Sequence, residues 1–206
     1  MRYQHIVFDI DGTLIDTEYA VLHSLQKTIH TLTGQHTETE QLTFSLGIPG
    51  EEALQQLNIP DVSGALKLWI RYLRELSHTT CLFDGIEQVL ETLQSAGCHI
   101  GIVTSQIRSH FESDFGKRPI RRYFETVVCA DDTEKHKPDP EPLLHYMAQT
   151  GAPESQVLYI GDSKYDMMCA RSAHVDFALA GWGSRGRVDA PCILQAPADI
   201  PEKYLP

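Results

Sequence analysis

Positive charge is what this chain has least of. Its 17 lysines and arginines face 28 aspartates and glutamates over 206 residues, giving a formal net charge of −11 and a pI near 5.3. Non-specific binding to a nucleic-acid backbone needs a basic surface, so the balance argues against such a partner. It argues equally against a polybasic membrane contact. The one local basic cluster, Lys117, Arg118, Arg121 and Arg122, lies between a helical and a strand pattern and is expected to be solvated surface. Long apolar runs are also missing: none approaches the ~18 residues that a membrane span requires. No charged-then-apolar leader opens the sequence, so a cytoplasmic location is the expectation. The five cysteines (Cys81, Cys98, Cys129, Cys169 and Cys192) are odd in number, scattered, and form no Cys-x-x-Cys. That excludes a disulfide framework or a thiolate zinc site and fits free thiols in a reducing compartment. Ten histidines never fall into His-x-x-x-His, and none is assigned to metal. Neither an internal repeat nor a low-complexity segment is present, and the length suits one or two compact units.

What the chain does have is concentrated near its start. An apolar run, Ile6-Val7-Phe8, leads directly into Asp9-Ile10-Asp11-Gly12-Thr13. A charge at the end of a buried strand needs a partner, because desolvating a lone carboxylate is expensive. Asp9 and Asp11 are two apart, so on an ideal strand they share a face. Two acids on one face repel until a cation, a proton or a substrate resolves the conflict. The simplest resolution is a hard divalent ion such as Mg²⁺, which favours carboxylate oxygens and keeps positions open for phosphate. Gly12 lets the chain turn sharply. An acidic turn with Asp and Gly for turn chemistry would use the same residues. Four fixed positions in this pattern, however, arise by chance in such a chain on the order of once in a thousand.

Other parts of a site follow downstream. Ile100-Gly-Ile-Val103 ends in Thr104-Ser105, and Val157-Leu-Tyr-Ile160 ends in Gly161-Asp162-Ser163-Lys164-Tyr165-Asp166. Between them lies His136-Lys137-Pro138. Short, nearly all-apolar strands indicate a parallel sheet buried on both faces. In such sheets ligand chemistry gathers outside the carboxyl ends of the strands, where Asp9, Thr104 and Asp162 all fall. Taken singly, each residue has an ordinary structural use. Thr104 could close a strand, Lys137 could be a solvated loop lysine, and Asp162 and Asp166 could cap a helix. Their joint appearance, in order around Asp9 and Asp11, is what points to function.

The set Asp9-x-Asp11-Gly12-Thr13, Thr104, Lys137-Pro138 and Gly161-Asp162-x-x-x-Asp166 resembles the four motifs of the haloacid dehalogenase superfamily, and most closely its phosphoglycolate-phosphatase-like branch. The resemblance covers essentially the whole chain. It implies a Mg²⁺-dependent phosphatase of small phosphorylated metabolites, acting as a monomer or homodimer. Asp9 would be the nucleophile, forming an aspartyl-phosphate, and Asp11 the general acid and base. Mg²⁺ would be held by Asp9, the backbone carbonyl of Asp11 and Asp162, with Asp166 acting through water or by orienting Lys137. Thr104, Ser105, Gly12 and Lys137 would contact the phosphoryl group. Phosphoglycolate is the leading substrate. A phosphomutase of the β-phosphoglucomutase kind, a pyrophosphatase, and a non-catalytic phosphate-accepting regulatory module remain alternatives. A dehalogenase does not need the second acid.

The periodicities divide the chain. Between Asp16 and about Thr80 the pattern is helical. Val21, Leu22, Leu25, Ile29 and Leu32 mark a helix opened by Asp16 or Thr17 and ended by Gly34. Glu51 to Leu57 predicts a short helix, and Val62 to Leu76 a longer one. The segment Leu46-Gly47-Ile48-Pro49-Gly50 resembles the Gly-x-Pro segment that faces the site in relatives. Lys67, Arg71 and Arg74 share one face of the third helix and are expected to be solvated. Strand–helix alternation then resumes. Asp84 caps a helix stopped by Gly97, and strands at 100–103, Thr126–Ala130, 157–160 and Val175–Leu179 alternate with helices at Pro140–Thr150 and Lys164–Ala173. Cys192–Leu194 would add an edge strand, and Trp182 would border the site or cover the core. The expectation is a doubly wound (Rossmann-like) α/β core, residues 1–16 plus 80–206, with a helical cap inserted at 17–79.

Overall fold

The computed structural model describes residues 2–185 and 188–205. Its centre is a six-stranded, all-parallel sheet. In chain order the strands of the molecule are β1 (His5–Phe8), β2 (Ile15–Asp16), β3 (Cys81–Leu82), β4 (His99–Val103), β5 (Thr126–Val128), β6 (Val157–Gly161), β7 (Asp176–Ala180) and β8 (Ile193–Leu194). The helices are α1 (Glu18–Thr33), α2 (Gly50–Gln56), α3 (Val62–Glu75), α4 (Ile86–Ser95), α5 (Arg108–Ser113), α6 (Glu141–Thr150), α7 (Lys164–Ser172) and α8 (Asp199–Tyr204).

The sheet order is β5-β4-β1-β6-β7-β8, with β1 paired to both β4 and β6. The chain therefore winds outward in one direction from β1, then returns to continue in the other. The switch point lies beside β1, where open sheets of this kind leave a crevice. Side chains alternate between two buried faces. Ile6, Phe8, Ile100, Ile102, Leu158 and Ile160 join a core with Leu90 and Leu93 of α4. Val7, Val103, Val157 and Tyr159 point the other way, into a core with Leu143 and Tyr146 of α6 and Cys169 of α7. Burial on both faces is why these strands read as continuous apolar runs.

One close approach in the second core gives a stability prediction. A Cβ on Gly101 of β4 would lie 2.2 Å from Cε2 of Tyr146. That ring is buried, with its hydroxyl 3.1 Å from Nδ1 of His5. Gly101→Ala should cost about 1–3 kcal/mol through overpacking, seen as a melting temperature lowered by several degrees. An unchanged melting curve would contradict this packing.

The segment between β1 and α4 forms its own apolar cluster: Leu22, Leu25 and Ile29 of α1, Leu42, Ala53 and Leu54, and Ala65 and Trp69 of α3. Trp69 Nε1 donates to Ser24 Oγ at 2.9 Å, which satisfies the indole inside that cluster. Where the chain leaves for this insert and where it returns, β2 and β3 pair antiparallel, Ile15 against Leu82 and Asp16 against Cys81.

Several local expectations change. Asp84 does not cap α4: Gly85, left-handed at φ 87°, occupies the cap position, with no side-chain cap. Thr17 precedes α1 without a side-chain capping bond. The strand predicted to reach Ala130 stops at Val128, because residues Ala130–Asp132 wind into a 3₁₀ turn closed by Cys129 N donating to Asp132 Oδ2 at 2.8 Å. The Pro-rich tail yields the edge strand β8 and also α8, where Pro201 sits in the first turn and its missing N–H costs nothing. The basic cluster is less free than expected. Arg118 pairs with Asp114 at 3.2 Å, Arg122 pairs with Glu87 at 3.2 Å, and Arg121 donates to the Phe124 carbonyl at 2.6 Å. No helix among the described residues is long and apolar enough to cross a membrane.

Candidate active site

Asp9 leaves the carboxyl end of β1 with its amide bonded to the Ile160 carbonyl at 2.9 Å, and it is almost wholly buried. Lys137, fully buried on the loop before α6, places Nζ 3.0 Å from Asp9 Oδ1 and 2.7 Å from Asp166 Oδ1. The Tyr159 hydroxyl accepts from Lys137 at 3.2 Å and stands 2.8 Å from Asp166 Oδ1 and 3.0 Å from the Val103 carbonyl. Asp166 is also a helix cap. Its Oδ2 accepts from Ser163 N at 3.1 Å, and Ser163 Oγ accepts from Asp166 N at 3.2 Å. This reciprocal box at the start of α7 locks the carboxylate that holds Lys137. Capping the helix and holding Lys137 are here one arrangement.

Asp9, Asp162 and Asp166 each offer a carboxylate oxygen within 4.8 Å of the others. Burial pushes the Asp9 carboxyl up to about 7, against the pull of Lys137 and with help from Asp166 and Asp11. Burial also raises Asp162 well above the ordinary carboxylate range, followed by the charges of Asp166 and Asp9. For Lys137, burial works downward, but Asp166 and Asp9 outweigh it and keep the ammonium charged. Three carboxylates around one ammonium leave negative charge uncompensated. An all-oxygen, over-acidic donor set of this kind, with Asp9 and Asp166 buried and Asp162 partly so, suits a hard divalent cation such as Mg²⁺.

Gly12 meets its expectation: at φ 77° it turns the chain, and a Cβ there would lie 2.4 Å from Asp162 Oδ2. Thr13 Oγ1 reaches Asp162 Oδ1 at 3.4 Å. The loop after β7 braces this turn. Trp182 Nε1 donates to the Thr13 carbonyl at 2.9 Å, and a Cβ on Gly183 would lie 1.8 Å from the Gly12 carbonyl oxygen. Thr104, buried at the end of β4, bonds to Val128 through its amide at 3.0 Å. Its hydroxyl oxygen accepts from Gln106 N at 3.2 Å, which leaves the hydroxyl proton to be directed elsewhere. Ser105 Oγ donates to the Gly47 carbonyl at 3.1 Å, tying this edge of the sheet to the insert. Asp11 is turned instead to Gln106, whose Nε2 donates to Asp11 Oδ2 at 2.8 Å.

Over this floor lies a cavity of about 570 Å³, roofed by the insert. Asp9, Asp11 and Asp162 line its base, and Leu46, Ile48, Leu66 and Trp69 line its upper walls. The Gly-x-Pro segment therefore does face the site. Lys67, Arg71 and Arg74 are exposed, as expected. Sequence reasoning did not single out Gln106 or Tyr159. Gln106 directly follows Thr104-Ser105, the one signal available for it. Tyr159 reads as an ordinary strand residue, and only its buried partners reveal its role.

A doubly wound sheet whose carboxyl edge gathers three acids and a buried lysine beneath a helical roof defines a hydrolytic enzyme of the phosphate-handling type. The model of the haloacid dehalogenase-like hydrolases matches residues 6–180, and the chain belongs to that family. Among its relatives is a protein of Clostridium perfringens provisionally named pyrophosphatase PpaX, 32% identical over 169 residues that cover 82% of this chain and 79% of the relative. Pyrophosphatase PpaX of Bacillus velezensis is 30% identical, over 90% of this chain and 86% of its own. A crystal structure from Lactobacillus plantarum, provisionally named a phosphoglycolate phosphatase, superposes with a TM-score of 0.90 at 31% identity, covering 98% of this chain and 99% of that one.

Proposed function

We propose that the chain is a Mg²⁺-dependent phosphatase that hydrolyses small phosphate monoesters through an aspartyl-phosphate on Asp9. The observation that carries this reading is the Asp9 carboxylate, held 3.0 Å from the Lys137 ammonium at the base of a roofed cavity. Asp9 attacks phosphorus, forming an O–P bond as the bond to the leaving oxygen breaks. Asp11, oriented by Gln106, gives its proton to that oxygen. It then takes a proton from the water that attacks the phosphoryl-aspartate and releases phosphate. Lys137 balances charge on the transferring group, and Asp166 with Tyr159 holds Lys137 in place. Thr104 and Ser105 border the phosphoryl position, where Thr104 donates. Asp9, the Asp11 carbonyl and Asp162 would hold Mg²⁺, with Asp166 behind them. When bound, the ion supplies charge neutralisation for the phosphoryl oxygens and keeps Asp9 ionised. We take residues 1–16 and 80–206 as the catalytic core and 17–79 as the cap. The names of the relatives make pyrophosphate and phosphoglycolate the first substrates to try.

The test is phosphate release from p-nitrophenyl phosphate with Mg²⁺ and with EDTA. Chelation should abolish it, and acid-quenched enzyme should carry phosphate on Asp9 during turnover. Stoichiometric labelling without turnover would mark a phosphate-accepting regulatory module instead. Asp11→Asn should respond to the leaving group. Its kcat/KM on p-nitrophenyl phosphate should fall about tenfold, and that on an alkyl phosphate by ~10²–10⁴, because kcat/KM reports the steps up to departure of the leaving group, where only the poor leaving group needs the acid. Equal losses on both esters would remove Asp11 from the role of acid.

A further inference from the structure

The cavity above the carboxylate floor is suited to one kind of leaving group. Its walls are largely apolar: Leu46, Ile48, Leu66, Trp69, Ile70 and Ile107. The charged side chains that line it beyond the floor are Glu18, Glu51, Glu52 and Asp131. Among the described residues, no lysine or arginine lines it. Lys137 is fully buried beneath the floor and committed to Asp9 and Asp166. Arg74 reaches only a neighbouring recess of about 30 Å³, which has room for little more than water. The nitrogen bases on the wall are two imidazoles, His110 and His136. Arg185 does not line it but pairs with Glu18, which balances that carboxylate and leaves Glu51, Glu52 and Asp131 as the acids of the wall without an ion pair among the described residues.

Away from the metal position at the floor, a second anionic group on the substrate would therefore lose its water against apolar walls and meet carboxylates, with no lysine or arginine among the described residues to receive it. Like charge placed against like charge is the ordinary way a site rejects a competitor. An uncharged or ammonium-bearing alcohol meets no such penalty, and Glu51 and Glu52, at the start of α2, attract a cation. Resting on the phosphatase reading, we propose that this enzyme acts on phosphate monoesters of uncharged or cationic alcohols with some apolar surface. It discriminates against phosphoglycolate, whose leaving alcohol carries a carboxylate, and against pyrophosphate, whose leaving group is a second phosphate. The cap glutamates Glu51 and Glu52 are the specificity-determining residues.

The experiment compares kcat/KM of the full chain with Mg²⁺ on phosphoethanolamine, glycerol 3-phosphate, phosphoglycolate and pyrophosphate, with p-nitrophenyl phosphate as the reference. The first two should exceed both anionic substrates at least about tenfold. The double substitution Glu51→Lys with Glu52→Lys should raise phosphoglycolate turnover relative to glycerol 3-phosphate by about fivefold or more, and lower that of phosphoethanolamine. The overturning result is phosphoglycolate or pyrophosphate as the best substrate of the unaltered chain. The specificity inference then fails while the phosphatase reading stands. Inertness towards all five substrates, p-nitrophenyl phosphate included, overturns both.

Discussion

Asp9→Asn is expected to lower kcat by at least about 10⁴-fold, in line with losses seen when a covalent nucleophile is removed. It should also make the metal-free protein more stable at pH 8. The first effect follows from the neutral amide's inability to attack phosphorus. The second follows from the cost of keeping Asp9 charged. Burial lifts its carboxyl from the usual range to about 7. A carboxyl whose folded-state value lies above its unfolded value favours the folded state at low pH, and that contribution is lost as pH rises from about 4 through about 7. In EDTA at pH 8 the unaltered chain carries this penalty and the asparagine variant does not. Each pKa unit corresponds to about 1.4 kcal/mol, so a gain of up to a few kcal/mol, or about 5 °C in melting temperature, is in reach. Thermal melts of both proteins in EDTA from pH 4 to 8 provide the check. The two curves should converge at the acid end and separate above it. A variant less stable than its parent at pH 8 would refute this account of Asp9.

Lys137→Met should have the largest effect on stability of any single change at the site. Its ammonium is the cation that faces both Asp9, at 3.0 Å, and Asp166, at 2.7 Å, and all three side chains are almost completely buried. Removing one partner from a buried ion pair costs about 3–5 kcal/mol, because the charge left behind is uncompensated. For a chain of this length that is a drop on the order of 10 °C in melting temperature. The loss should be greater at pH 8 than at pH 5, since the stranded carboxylates can take up protons in acid. Mg²⁺ should restore part of it by rebalancing the charge. Catalysis should not return with stability, because the positive charge beside the transferring phosphoryl group is gone. Denaturation at both pH values, with and without Mg²⁺, alongside activity, separates the two roles. A variant as stable as its parent at pH 8 would show that the buried charges are balanced in some other way.

Much of this molecule is legible in its sequence. The apolar runs at Ile6–Phe8, Ile100–Val103 and Val157–Ile160 announced a sheet buried on both faces, because strands without a wet side have no polar positions to alternate. Residues Asp9, Asp11, Thr104, Lys137, Asp162 and Asp166 stood out because charge and hydroxyls at the ends of such strands have few structural reasons to be there. The helical stretch after β1 marked an insertion by its change of period. Where expectation failed, the deciding interactions were local but invisible in a one-dimensional pattern. The left-handed Gly85 took the capping place of Asp84, and the Cys129–Asp132 turn cut a strand short.

The residue types and their spacing determined that acids, a hydroxyl and an ammonium would gather at one sheet edge, since strand direction and a buried sheet leave them no other place. Only the tertiary structure decided what each of them touches. That Asp166 both caps a helix and secures Lys137, that Tyr159 touches Lys137 and Gln106 touches Asp11, and that the helical insert lines the cavity with glutamates and apolar side chains all depend on contacts across the fold. Periodicity along the chain records which face a residue takes. It carries no information about which distant side chain will stand opposite, and that is the arrangement from which the chemistry and the selectivity arise.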